Sequence, residues 1–296
     1  MDKLVLKGCG TALVTPFRDG EVDYQAYRAL VRRQVEAGID FLLPLGTTGE
    51  TPCLTDEEKI EIFKITKEEA QGLPIVVGCG TNSLMGTIRN MKVLEPYSPD
   101  AFLVVVPYYN KPTQEGMYEY FKAVAAATEL PVIMYNVPGR TGVNMLPDTA
   151  LRLANDVRNI MGIKEASGNY FQALALIKHA PAGFQVICGD DDLTYSMLRA
   201  GACGVFSVAS NVAPKRLVEM THAVLDGQMD KAERINNALK ELYRVCFIES
   251  NPIPVKTALF QMGLCRNEFR LPLCPASKSS AEKVAECLEE LGVNLQ

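Results

Sequence analysis

AFLVVVPYYNKPTQEGMYEYFKAVAAATELPVIMYNV, residues 101–137, holds one full repeat of the pattern that organises this chain. It begins with the apolar run AFLVVVP (101–107) and passes into a polar loop. Thr113 then starts a stretch of helical period that carries Met117, Phe121, Val124 and Ala125 inward. A second apolar run, PVIMYNV (131–137), follows. Both runs are apolar almost throughout instead of alternating, the pattern of parallel strands buried on both faces.

Six further runs repeat it. GTALVTPF (10–17), DFLLPLG (40–46) and PIVVGCG (74–80) lie upstream; IMGIKE (160–165), FQVICGD (184–190) and GVFSV (204–208) lie downstream. Between the runs lie stretches of helical period. In 23–36, Tyr27, Leu30, Val31 and Val35 share one face; Thr55 with Glu58 makes a capping box for the next helix. Others fit 83–94, 147–155, 170–179, 191–199 and 214–225. Eight alternations within residues 1–225 predict a (β/α)8 TIM barrel. A doubly wound nucleotide-binding sheet would show GxGxxG after its first strand, whereas GCGTALVTP (8–16) runs on into more strand. Residues 226–296 change character. Helical stretches at 228–248, 254–263 and 279–291, set off by NPIP and LPLCP turns, predict an appended helical region.

A chain of 296 residues can bury a full core. Its net charge of −5 and scattered lysines and arginines argue against a nucleic-acid partner. MDKLVLKGCGTALVTPF reads as a first strand and not as a signal peptide, and no apolar stretch of about 18 residues occurs, so the cytoplasm is the expected location. The nine cysteines form no CxxC pair, and His179 and His222 stand apart from them. No metal-ligand spacing results, and reduced thiols are expected.

In a barrel the chemistry belongs at the C-terminal ends of the strands. Those ends read GTTGE (46–50), PYYNKP (107–112), YNVPGRTG (135–142), GIKEASG (162–168) and CGDDD (188–192). Lys164 follows an apolar run. If it enters the barrel, desolvation favours its neutral amine, a nucleophile toward ketones; if it does not, it pairs with Glu165 or reaches water. This feature alone leaves both readings open. Tyr135 ends the preceding strand, where a phenol can carry protons, although most tyrosines only pack. The backbone of GTTGE can hold a small carboxylate or simply make a tight turn. Arg140 can clamp a second carboxylate or stand as an ordinary surface arginine. Asp190, Asp191 and Asp192 admit a metal-site reading, but Asp191 or Asp192 fits the N-cap of the next helix equally well, and no other acidic cluster converges on them, so no metal site is assigned.

Taken together and in order, GTALVTPF, GTTGE, PYYNKPTQEG (107–116), YNVPGRTG, GIKEASG, the Asp-rich turn after Gly189 and ESNPIPVK (249–256) resemble the dihydrodipicolinate synthase family, of the pyruvate-dependent aldolase and lyase superfamily. The resemblance covers nearly the whole chain. It implies condensation of pyruvate with L-aspartate 4-semialdehyde to (2S,4S)-4-hydroxy-2,3,4,5-tetrahydrodipicolinate, with no metal or organic cofactor. It implies that Lys164 forms an imine with pyruvate and that Tyr135 shuttles protons. Thr47 then links Tyr135 to a second tyrosine, Tyr109, which reaches the neighbouring subunit's site in a homotetramer built as a dimer of tight dimers. Thr48 helps to bind the pyruvate carboxylate, Arg140 receives the semialdehyde carboxylate, and Gly189 and Phe206 line the pyruvate pocket. Phe206 departs from the isoleucine or valine of many members and narrows that pocket.

The same superfamily includes N-acetylneuraminate lyases and 2-keto-3-deoxy sugar-acid aldolases, which share the lysine and tyrosine; Arg140 within YNVPGRTG favours the short amino-acid aldehyde. A non-catalytic keto-acid sensor has no need to keep Lys164, Tyr135, Thr47 and Tyr109 together. Many members of the family are inhibited by L-lysine bound beside Tyr108. This sequence keeps Asn82 and Tyr108. It carries Asp56 and Lys59 in place of two histidines, and Gly86 in place of a glutamate that holds the ligand's ammonium. Weak or absent inhibition is expected.

Overall fold

The computed structural model describes residues 4–293. Eight parallel strands form its centre: β1 (Gly8–Ala12), β2 (Phe41–Leu43), β3 (Val76–Gly78), β4 (Ala101–Val105), β5 (Val132–Asn136), β6 (Ile160–Glu165), β7 (Gln185–Cys188) and β8 (Gly204–Ser207). Consecutive strands pair, β1 also pairs with β8, and a parallel bridge from Leu42 to Ile75 joins β2 to β3 and closes the ring. Eight helices alternate with them: α1 (Tyr24–Glu36), α2 (Asp56–Glu69), α3 (Leu84–Leu94), α4 (Gln114–Ala126), α5 (Pro147–Asp156), α6 (Tyr170–His179), α7 (Thr194–Ala200) and α8 (Pro214–Leu225). The fold is a (β/α)8 barrel. It is followed by α9 (Met229–Val245), α10 (Ile253–Gln261) and α11 (Lys278–Glu290).

The helix starts follow from local chemistry. Thr55 Oγ1 accepts from the Glu58 N–H, and the Glu58 carboxylate accepts from the Thr55 N–H, completing the capping box. Thr113 caps α4 through the Gly116 N–H at 3.1 Å. The run 10–17, however, is not one strand. β1 stops at Ala12, and Phe17–Arg18 pairs antiparallel with Glu21–Val22. Asp19 and Gly20 between them both have positive φ, 55° and 86°, the two-residue hairpin turn that Asp-Gly favours.

Two apolar cores result. Inside the barrel, Phe41, Leu43, Val76, Leu103, Ile133 and Phe206 pack together. Outside it, a larger cluster joins the strands to the helices and continues unbroken into Leu239, Leu242, Leu259 and Leu288 of the last three helices. Cys9, Cys79 and Cys188 are buried as small core residues, and all nine cysteines are free.

One irregularity positions the site. The β5–β6 register shifts between Val132 and Ile133, which places Tyr135 opposite Lys164 and Asn136 opposite Glu165. One extra residue in β6 thus sets which side chains enter the barrel.

Candidate active site

Lys164, at the end of β6, is only 5% exposed. Its Nζ lies 4.3 Å from the ring centroid of Tyr135 and 5.5 Å from that of Phe206. Aromatic faces attract a cation there without neutralising it. Glu165 does not serve as its partner. Strand alternation turns Glu165 to the other face, where its carboxylate accepts from Asn136 Nδ2 (3.1 Å), Gln172 Nε2 (3.2 Å) and the Ser167 N–H (2.7 Å). Gly189 packs directly on the lysine: a β-carbon there would sit 2.9 Å from both Cγ and Cε of Lys164. Phe206 meets Phe41 edge to face at 5.0 Å, forming an aromatic wall inside the barrel.

The loop after β2 forms a short helical turn, Thr47–Gly49, and ends at Glu50 with φ of 53°. Thr48 is buried, and its hydroxyl accepts from Asn251 Nδ2 at 3.0 Å. The turn is braced by Thr15 Oγ1, which donates to the Gly49 carbonyl, and by Thr51 Oγ1, which donates to the Gly46 carbonyl. Arg140 is exposed in the short turn Pro138–Thr141 and donates through Nη2 to the Asn251 carbonyl at 3.0 Å. A cavity of about 540 Å³ opens here; its wall includes Thr47, Tyr135, Arg140, Tyr108 and Asn251 but not Lys164.

Tyr109 is the outlier. It is 87% exposed and has φ of 75°, a conformation rare for a residue with a side chain. The structure brings Lys164, Tyr135, Gly189 and Phe206 together inside the barrel, and Thr47, Thr48 and Arg140 at its mouth. Within one chain it leaves Tyr109 projecting away from its own protein's interior.

The family model described as the dihydrodipicolinate synthetase family matches residues 5–291. The chain belongs to that family. It is 47% identical over 293 residues to the 4-hydroxy-tetrahydrodipicolinate synthase of Thermotoga neapolitana, covering 98% of this chain and 100% of the relative. Its fold matches the dihydrodipicolinate synthase of Thermotoga maritima with a TM-score of 0.96 and 45% identity, over 98% and 100% of the two chains. It likewise matches the Acinetobacter baumannii dihydrodipicolinate synthase complexed with pyruvate, with a TM-score of 0.95 and 41% identity, over 98% and 100%.

In this dihydrodipicolinate synthetase family member, the aspartates after β7 do not cap α7. The N-cap position is Leu193, with no side-chain bond. Asp191 is buried instead, and its Oδ2 accepts from the N–H groups of Val208 and Ala209, both at 2.9 Å. That bond ties the end of β7 to the end of β8. Burial raises the Asp191 carboxyl above its usual range, against the opposing pull of those donors.

Asn251 is a site residue that strand-end reading passes over, because it lies between α9 and α10, outside the barrel repeat. It is 4% exposed, touches both Thr48 and Arg140, and its Oδ1 is buried without a partner. Its sequence signal is its place in ESNPIPVK (249–256), one of the motifs that carry the family resemblance.

Proposed function

We propose that Lys164 holds pyruvate as a Schiff base, in an enzyme whose activity is that of a 4-hydroxy-tetrahydrodipicolinate synthase. The observation that carries this is the burial of Lys164 against the Tyr135 ring, with its neighbouring carboxylate engaged on the other face of the strand. The Lys164 amine, once it has given up its proton, attacks the keto carbon of pyruvate, and water leaves as the imine forms. The protonated imine draws electrons from the methyl group, which loses a proton and becomes an enamine carbon. That carbon attacks the aldehyde of L-aspartate 4-semialdehyde. The amino group of the adduct then closes the ring and displaces Lys164. The lysine itself is the electron sink.

The remaining residues have distinct tasks. Thr48 and the N–H groups of the Thr47–Gly49 turn hold the pyruvate carboxylate. Tyr135 carries protons to and from the reacting centre. Arg140 keeps guanidinium donors free for the semialdehyde carboxylate while its Nη2 is anchored on Asn251. Tyr109, projecting at positive φ, completes the Thr47–Tyr135 relay of the neighbouring subunit in a homotetramer of two tight dimers; strain of this kind is kept where surroundings enforce it.

Borohydride reduction in the presence of labelled pyruvate tests the reading. One stable adduct per chain, mapped to Lys164, is expected. Folded protein that yields no adduct would sink the covalent mechanism.

A further inference from the structure

A second lysine is buried more deeply than Lys164. Lys256, on α10, forms an ion pair with Glu50, and neither side chain has any exposed surface. The ammonium also lies 4.4 Å from the ring centroids of both Phe17 and Phe269. Burial lowers the Lys256 ammonium and raises the Glu50 carboxyl, and each opposes the shift of the other. Removing two charges from water costs about what their attraction returns, so such a pair is a poor device for stability alone.

Its location gives it another use. Glu50 ends the turn that contains Thr47 and Thr48, and it is held at φ of 53°. A side chain in that region persists only when its surroundings enforce it. Lys256 stands on the helix that directly follows Asn251, and Asn251 itself bonds to Thr48 and to Arg140. The same stretch of chain therefore grips the turn at two points, through Asn251 at Thr48 and through Lys256 at Glu50.

We infer that the Glu50–Lys256 ion pair is a positioning device: it sets the carboxylate-binding turn against Asn251, and its effect is read in pyruvate affinity more than in fold stability. The inference rests on the assignment of that turn to the pyruvate carboxylate.

The test compares the parent enzyme with the double variant E50L/K256M, which replaces the pair by apolar side chains of similar volume. Three quantities are measured: the melting temperature, kcat, and the pyruvate concentration that half-saturates the borohydride-trapped adduct. The double variant is expected to melt within a few degrees of the parent and to keep most of its kcat at saturation. Its half-saturating pyruvate should rise about tenfold or more, the scale of losing one hydrogen bond to a charged carboxylate. A parental half-saturation in the folded double variant overturns the inference. If that variant does not fold, E50D replaces it. Both charges are then kept and the carboxylate is withdrawn by one methylene; the same rise is expected, and a parental value again overturns the inference. Absence of any adduct in the parent would instead defeat the Schiff-base assignment, and the inference with it.

Discussion

Gly189 and Lys164 lie so close that a β-carbon on the glycine would come within 2.9 Å of two carbons of the lysine side chain. Its nearest contact would be Ala166 Cβ, at 2.8 Å, which cannot swing aside, so the chain around Ala166 and the lysine must both give. Gly189 is also absent from the positive-φ glycines, and an alanine there meets no left-handed backbone penalty. Even so, G189A is expected to melt below the parent, because overpacking of about 1–3 kcal/mol outweighs the entropy that alanine removes from the unfolded chain. Its rate of imine trapping should fall about tenfold or more, because a displaced nucleophile loses the near-attack geometry. Stopped-time borohydride quenching measures that rate; a parental rate in G189A would show that Lys164 has room to spare.

Asn251 supplies the second expectation. Truncation to alanine removes its bond to Thr48 but leaves the backbone carbonyl that receives Arg140. One hydrogen bond contributes about 0.5–1.5 kcal/mol, or roughly a two- to twelvefold change in affinity. N251A should raise KM for pyruvate by that factor and leave kcat at saturation little changed. A fall in kcat with unchanged KM would place Asn251 in the chemical step instead.

Much of this arrangement is legible in the sequence, for a definite reason. The β-strands are buried on both faces, so their apolar runs stand out, and the chemistry-bearing residues fall at the ends of those runs. Lys164, Tyr135, Thr47 and Arg140 become candidates that way, and the family resemblance supplies the roles proposed for them. What stays hidden depends on contacts distant in sequence. The Glu50–Lys256 pair spans 206 positions, and Asn251 to Thr48 spans 203. The register shift beside Met161 leaves no mark in an apolar strand. Asp191 reads as a helix cap because its residue type suits one; only the structure shows that its carboxylate is spent on β8. The Asp19-Gly20 hairpin was readable, but its flanking strands of two residues are too short to show a period.

Glu58 gives a pH-dependent expectation. Its carboxylate receives two guanidinium bonds from Arg270, at 2.7 and 2.6 Å, and these hold it below the ordinary range, with help from the Thr55 N–H. A carboxyl depressed in the folded state contributes stability that is fully present above the unfolded value, about 4.3. That contribution is lost as pH falls through the depressed folded value. E58Q keeps a side chain that can serve the capping box while removing the charge. It should be less stable than the parent at pH 7, by about 1.5–3 kcal/mol, the scale of hydrogen bonds to charged groups. The difference should close as pH falls below about 4.3. Urea titrations at pH 7 and near pH 3 measure both arms; a gap that persists at the lower pH would assign the loss to packing.

The last expectation concerns L-lysine, and the structure supplies the charges the ligand would meet. Asp56, the carboxylate that replaces a histidine of the regulated type, is already engaged by Lys59 at 3.1 Å and by Arg89 at 2.8 Å. The Lys59 hydrogen bond is the main influence holding its carboxyl below the ordinary range. Lys59 itself lines the cavity together with Tyr108. Gly86, in the first turn of α3, provides no acid, and a β-carbon there would press on Thr81 Oγ1 at 2.9 Å. A ligand ammonium would thus approach two cations and a carboxylate that is already shared between them. Loss of a buried charge partner costs a binding interaction about 2–5 kcal/mol, and every 1.4 kcal/mol is about tenfold in affinity. Initial rates at fixed pyruvate and semialdehyde should therefore change little up to millimolar L-lysine. Half-inhibition below 1 mM, measured at saturating substrates, would show that the ligand finds its ammonium partner elsewhere. The double variant K59H/G86E removes the added cation and supplies the missing acid. It should gain inhibition if the charges are the cause, and its failure to do so, with the fold intact, would place the cause in the shape of the Thr81–Gly86 turn.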